Sequence, residues 1–300
     1  MKSFDLYSIA IAINHLTDVV NEASQTNFFK DYFMPVFVVI LSAITAYFIA
    51  IRGYQFQESA KNERMKADTL NSIVLKMQSM QASLIATKQN YFDSLGTHPV
   101  QRALNVPVMP ARIEHVNFEA NALAQLIYTK NHDIEKHPWM NIASYVSTFG
   151  NFNMFVELLN IRNALDNEVK HQISPLISGS GARGEISIKE ITELLDDATM
   201  MKYIDLTEKF ITLVDDLLLT LNDFMINFPI ETTGLLKKKF LSNYVYLRGY
   251  ENKSEWFLKL LKRCPAVDLK QLGAYMKFDE EETKRMYLEN SVVIVTPKDN

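Results

Sequence analysis

A single cysteine, Cys264, stands in 300 residues, so no intrachain disulfide can form, and a reducing compartment is expected. Only 9 glycines and 9 prolines are present, which argues against a β-sandwich and against long disordered tracts. The net charge of −4 is mild and makes no general demand for nucleic acid or anionic lipid. No internal repeat and no parallel-sheet pattern is visible. What is present is ordinary globular composition, 48% hydrophobic and 22% charged, together with one stretch that lacks charge altogether.

That stretch is Phe33–Ile51, FMPVFVVILSAITAYFIAI. At about 1.5 Å per residue it matches the ~30 Å hydrocarbon core of a bilayer. Lipid offers no partner for open backbone groups, so the stretch must be helical. Pro35 falls in the first turn, where its missing N–H costs little. Phe28, Phe29 and Tyr32 precede the run, and Tyr47, Phe48 and Tyr54 close it, as interfacial aromatics do. We read an uncleaved anchor, because no basic n-region lies directly before it and no small-x-small site follows. Lys2 and Lys30 precede the span, whereas Arg52, Lys61, Arg64 and Lys66 follow it. The excess places the C-terminal bulk in the cytoplasm. Residues 1–32 form an N-terminal amphipathic segment. Within it, 4–20 reads either as an interfacial helix or as a second membrane helix of a hairpin.

Residues 52–95 read as a juxtamembrane helix. Leu70, Ile73, Met77, Met80 and Leu84, with Thr87 and Tyr91, fall on an a/d pattern. Two readings stay open: the stripe packs on the protein's own domain, or it makes a homo-oligomer with a second copy. Residues 95–110 hold Gly96, Pro99, Pro107 and Pro110 and read as a linker. A helical cytosolic domain then fills 96–300. Helices are expected at 113–128, 139–147, 152–171, 187–201, 205–228, 234–246, 255–263, 269–276 and 279–289. Pro229 is expected to stop the fifth of these, and residues 174–185 to link the two halves. Val292–Val295 is a strand signal that could pair with 185–188 in a two-stranded ribbon. The class is all-α.

Few constellations carry chemistry. Gly179-Ser-Gly181-Ala-Arg-Gly184 matches G-x-G-x-x-G in letters but lacks the strand before it that dinucleotide binding needs. His132-Asp-Ile-Glu-Lys-His137 gathers metal-type ligands without a second pair. Asp196-Asp197 and Asp215-Asp216 are expected on the wet side of their helices. Cys264 has basic neighbours that could lower its pKa. No catalytic residue, metal or cofactor is assigned, and the chain reads as a non-enzyme. The main non-core signal runs from Lys237 to Arg263, where eight cations face two anions, a local +6. Lys237, Lys238, Lys239, Arg248, Lys262 and Arg263, interleaved with aromatics, are the candidate polyanion site, for nucleic acid or for anionic headgroups.

A small anchor followed by a helical cytosolic domain resembles, in layout, the membrane-anchored effectors of bacterial anti-phage systems, including those associated with retrons. The resemblance implies a protein or nucleic-acid partner that keeps the effector silent, and membrane damage on release. A membrane-bound regulatory or scaffold protein, or an anchored enzyme of unrecognised type, is the alternative.

Overall fold

The computed structural model describes residues 6–24, 28–109, 113–127, 137–179 and 187–289. Among these, every regular element is a helix or a helical turn: α1 (Leu6–Ser24), α2 (Met34–Lys88), α3 (Pro99–Asn105), α4 (Ala120–Ile127), α5 (Ile142–Gly179), α6 (Ile188–Leu194), α7 (Asp197–Thr233), α8 (Glu255–Leu261), α9 (Leu269–Met276) and α10 (Glu280–Lys284). The chain divides into two units, Met1–Asn62 and Glu63–Asn300, and α2 contributes to both.

The first unit holds α1, a π turn at Phe29–Phe33 and the opening of α2. Pro35, expected in the first turn of the helix, lies past its start, because the π turn leads straight into α2 and the helical run begins before the proline. Val36, Phe37, Val38, Val39, Ile40, Leu41, Ile44, Phe48 and Ile49 are all exposed. Among the described residues this is the one helix long and apolar enough to cross a membrane, and no side chain in its apolar window is buried.

The second unit is built on α2 from Glu63 onward, α5 and α7. The a/d stripe is buried: Leu70, Met77 and Leu84 are fully enclosed, as are Phe152 and Phe155 of α5 and Phe210, Val214, Leu221, Phe224 and Phe228 of α7. The stripe therefore packs on the protein's own domain, and Leu70, Ile73, Met77, Met80 and Leu84 are not a surface on which a second copy could pair. Each such side chain contributes about 1.5–3 kcal/mol through burial. Trp139 stands edge-on to Phe224, 4.9 Å between centroids, and Phe224 stacks on Phe228 at 4.6 Å. A smaller core joins α3, the end of α5, α6, the start of α7 and α9 around Val169, Tyr203, Ile204 and Leu272.

Several boundaries move. The juxtamembrane helix stops at Lys88, not residue 95. The expected linker at 95–110 contains α3, because Pro99 begins a helix instead of preventing one, and Val100, Arg102 and Ala103 are buried. The helix expected at 113–128 is confined to Ala120–Ile127; before it, Val116 exchanges backbone hydrogen bonds with the Asn153 amide. The helices expected at 139–147 and 152–171 are one, α5, which runs through Pro175 into the expected linker. Ser187 and Glu190 form a capping box at the start of α6, but the helix ends at Leu194, short of the expected residue 201. Asp196 caps α7, accepting from the Thr199 N–H at 3.0 Å. Residues 234–246 hold only a 3-10 turn, Lys238–Phe240. Helices α8 and α9 lie where expected, and Asp279 caps α10. Val292–Val295, residues 180–184 of the glycine motif and 132–136 of the histidine cluster lie outside the described residues.

Pro229 does not end α7, which continues to Thr233. A proline inside a helix strips the carbonyl four residues back of its donor. Here that carbonyl is Met225 O, and the Tyr250 N–H donates to it at 3.2 Å. The neighbouring residue must be small: a Cβ on Gly249 would stand 2.9 Å from Ile226 O.

Candidate functional site

Helix α7 carries charge on the side where burial is greatest. Asp215 and Asp216, expected to be wet, are 4% and 0% exposed. A carboxylate taken out of water needs partners for its charge and lone pairs. Asp215 has three. Lys88 Nζ lies 2.6 Å from Oδ1, the Cys264 N–H donates to Oδ2 at 2.7 Å, and the Cys264 thiol is 3.6 Å away. Lys88 itself is fully buried and donates also to the Lys262 carbonyl at 2.6 Å. Asp216 is paired with Arg263 at 2.5 Å.

One further ion pair joins α3 to α7, and a buried pair within α5 reaches α7 by hydrogen bonds. Arg102 of α3 makes a two-pronged contact with Glu208, at 2.7 and 3.0 Å, and spends its third nitrogen on the Gly96 and Pro265 carbonyls. Burial raises the Glu208 carboxyl above its usual range, and Arg102 opposes the rise. Arg162 of α5 donates to Thr207, to the Ala103, Val106 and Pro107 carbonyls and to Asp166, which also accepts from the Tyr203 hydroxyl at 2.5 Å. Burial lowers the Arg162 pKa, and its carboxylate and phenol neighbours oppose that. Ion pairs thus fasten α2 and α3 to α7, and hydrogen bonds to Thr207 and Tyr203 fasten α5 to it.

Cys264 does not have the low pKa its basic neighbours suggested. Burial, then the Asp215 charge, pushes the thiol up to about 12, outweighing Lys88 and Arg102. It is held as a thiol, the form that does not attack. Beside it lies a small cavity of about 170 Å³ lined by Arg102, Glu208, Asp215, Arg263, Cys264 and Tyr287. An apolar groove of about 380 Å³ adjoins Tyr287, with Leu158 and Ile161 of α5 opposite Leu213 and Met286. His137 sits 3.1 Å from Glu231. Among the described residues no group of three or more His, Cys, Asp or Glu is gathered as metal ligands.

All six candidate polyanion residues are exposed, but the fold separates them. The segment after α7 runs parallel to α2. The Lys237 N–H donates to Glu63 at 2.9 Å, Tyr244 OH to Asp68 and the Leu247 N–H to Asn71 at 2.8 Å, while Lys88 reaches the Lys262 carbonyl. Between Glu63 and Lys88 the helix rises about 38 Å. Lys237, Lys238 and Lys239 therefore stand at one end of this face and Lys262 and Arg263 at the other. Arg248 lies between them, beside the Tyr250–Met225 contact. The +6 read from sequence is two groups and one intermediate residue. Arg263 is committed to Asp216, Lys253 to Glu251 and Lys259 to Asp93.

The chain matches no protein-family model, no curated protein and no solved structure.

The buried pairs escaped the sequence reading, yet a signal was there. Arg162 falls in the apolar repeat Phe155, Leu158, Leu159, Leu165 and Val169, and Asp215-Asp216 interrupts the apolar run from Leu213 to Leu218. Charges at core register are candidates for buried pairing, whereas charges between stripes are solvated.

Proposed function

We propose that the chain is a membrane-anchored effector or sensor of the bacterial inner membrane, with its helical domain cytoplasmic. In this reading the domain binds a protein or nucleic-acid partner and conveys that event to the lipid-embedded segment. The observation that carries it is α2. The same helix bears the exposed apolar residues Val36–Ile49 and the buried core residues Leu70–Leu84. No hinge sequence of glycine and proline intervenes between them: Gly53 is the one glycine in α2, and Pro35 is the one proline. An event that shifts α2 in the domain therefore acts on the helix that also carries the apolar stretch. The Arg52, Lys61, Arg64 and Lys66 excess supports the cytoplasmic side. A role in anti-phage defence rests on likeness of layout.

The test is expression of the full chain in bacteria with a voltage-sensitive dye, beside membrane fractionation. The chain should resist carbonate extraction and collapse the membrane potential on induction. Ile40→Arg should abolish both. Complete recovery of the unaltered chain in the soluble fraction would sink the anchor, and a steady potential despite membrane residence would sink the effector.

A further inference from the structure

The lysine turn that follows α7 is built to hold three charges outward. Leu236, Phe240 and Leu241 on either side are buried, so the 3-10 turn Lys238–Phe240 is fixed at both ends. Lys237, Lys238 and Lys239 between them are exposed. The turn is tied by its own backbone to Glu63 through the Lys237 N–H at 2.9 Å. Lys239 Nζ rests over the Phe240 ring at 4.7 Å, which orders its stem. Arg64, also exposed, follows Glu63 on α2 and adds a fourth positive charge beside this turn.

Glu63 is the first α2 residue of the second unit, twelve positions after Ile51, where the apolar run stops. The other cationic group, Lys262 and Arg263, is at the Lys88 end of the same face, and half of it is neutralised by Asp216. Of the two ends, only the Glu63 end is adjoined in sequence to the anchor. A single strand of nucleic acid following the whole stretch would have to bridge about 38 Å between cationic groups.

We propose that Lys237, Lys238 and Lys239 dock this end of the domain on the anionic phospholipid headgroups of the leaflet that the anchor crosses. The inference rests on the anchored reading above. Each lysine near a negative leaflet surface favours the docked state about fivefold, so the triplet shifts the balance by on the order of a hundredfold, and salt screens it.

The full chain is reconstituted in nanodiscs, either of phosphatidylcholine or with about 30% phosphatidylglycerol, carrying a headgroup acceptor dye. A donor dye is placed at Ser242→Cys, just beyond the turn, or at Lys270→Cys on α9, in a Cys264→Ala background. Transfer from position 242 should rise in the phosphatidylglycerol discs, return to the phosphatidylcholine level in about 1 M salt, and change little from position 270. Lys237→Glu/Lys238→Glu/Lys239→Glu should remove the rise while helical content by circular dichroism holds. Equal transfer in both lipids overturns the proposal, as does a rise that survives the triple variant. Salt-sensitive binding of a single-stranded oligonucleotide in phosphatidylcholine discs, lost in the triple variant while phosphatidylglycerol gives no rise, assigns the turn to nucleic acid instead. Failure of the unaltered chain to enter discs overturns the anchor itself, whereas entry with a flat response overturns only the docking.

Discussion

Two stretches of α2 have unequal apolar content and opposite surroundings. From Val36 to Ile49 apolar residues cover the whole circumference, and all are exposed. From Leu70 to Leu84 all the large ones but Leu75 keep to a stripe, and the stripe is buried against α5 and α7. A helix apolar all round has no wet side to offer and asks for lipid; a helix apolar on one side asks for a partner helix. Amount and distribution around the helix together separate the candidate span from the core element within α2.

The comparison can be broken from either end. The largest effect is expected on the buried side. Lys88→Met leaves Asp215 charged and enclosed without its cation, and unfolding of the detergent-solubilised full chain should come about 3–5 kcal/mol sooner while membrane retention persists. A variant as stable as the parent would show that Asp215 finds another partner. On the other side, Ile40→Arg should weaken insertion by roughly 2.5–3.5 kcal/mol, read as the fraction surviving carbonate extraction. The domain's stability should be untouched, so a loss of both would contradict the division between the two stretches.

Smaller effects sharpen the account of the buried unit. Gly249→Ala forces a methyl against Ile226 O, a strain of about 1–3 kcal/mol in thermal unfolding. Ser242→Ala, a few residues earlier and exposed, should change little. The smallest effect is one of pH. The folded-state pKa of Glu208 is raised, so its contribution to stability is fully present below the unfolded carboxyl value and is lost as pH rises through the folded value. Compared with Glu208→Gln, the parent should therefore lose relative stability as pH rises from about 4 toward neutrality. An opposite slope would mean that Arg102 outweighs burial.

Much of the helical layout was legible because its signals are local. An uncharged run, an a/d stripe, the Ser187–Glu190 box and the Asp279 cap each act within a few residues, and each stands where its chemistry places it. The proline and glycine signals failed where distant chain answered them. Pro99 opens α3, and Pro229 is carried through α7 by a donor 21 residues downstream. The aspartates failed for the same reason: Asp215 is solvated by Lys88 and by the Cys264 amide instead of by water, and neither neighbour is near it in sequence. The polyanion candidates were legible as a composition and not as a shape. A run of cations along an extended segment was laid out by α2 over tens of ångströms, and no pattern in the run itself foretells the division.

The carbonyl of Met225 has a consequence for the order in which the domain assembles. It is an open acceptor only once α7 has coiled through Pro229, since only then does the helix lack the donor that Tyr250 supplies. The stretch from Leu241 to Ser254, without helical bonds of its own, is held by side chains of α2 at Asp68 and Asn71 and by the Met225 carbonyl of α7. It closes late and opens early, and the Tyr250 amide should exchange its proton for deuterium well before those in the middle of α7. That stretch is thus the hem of the domain, sewn after the cloth is woven.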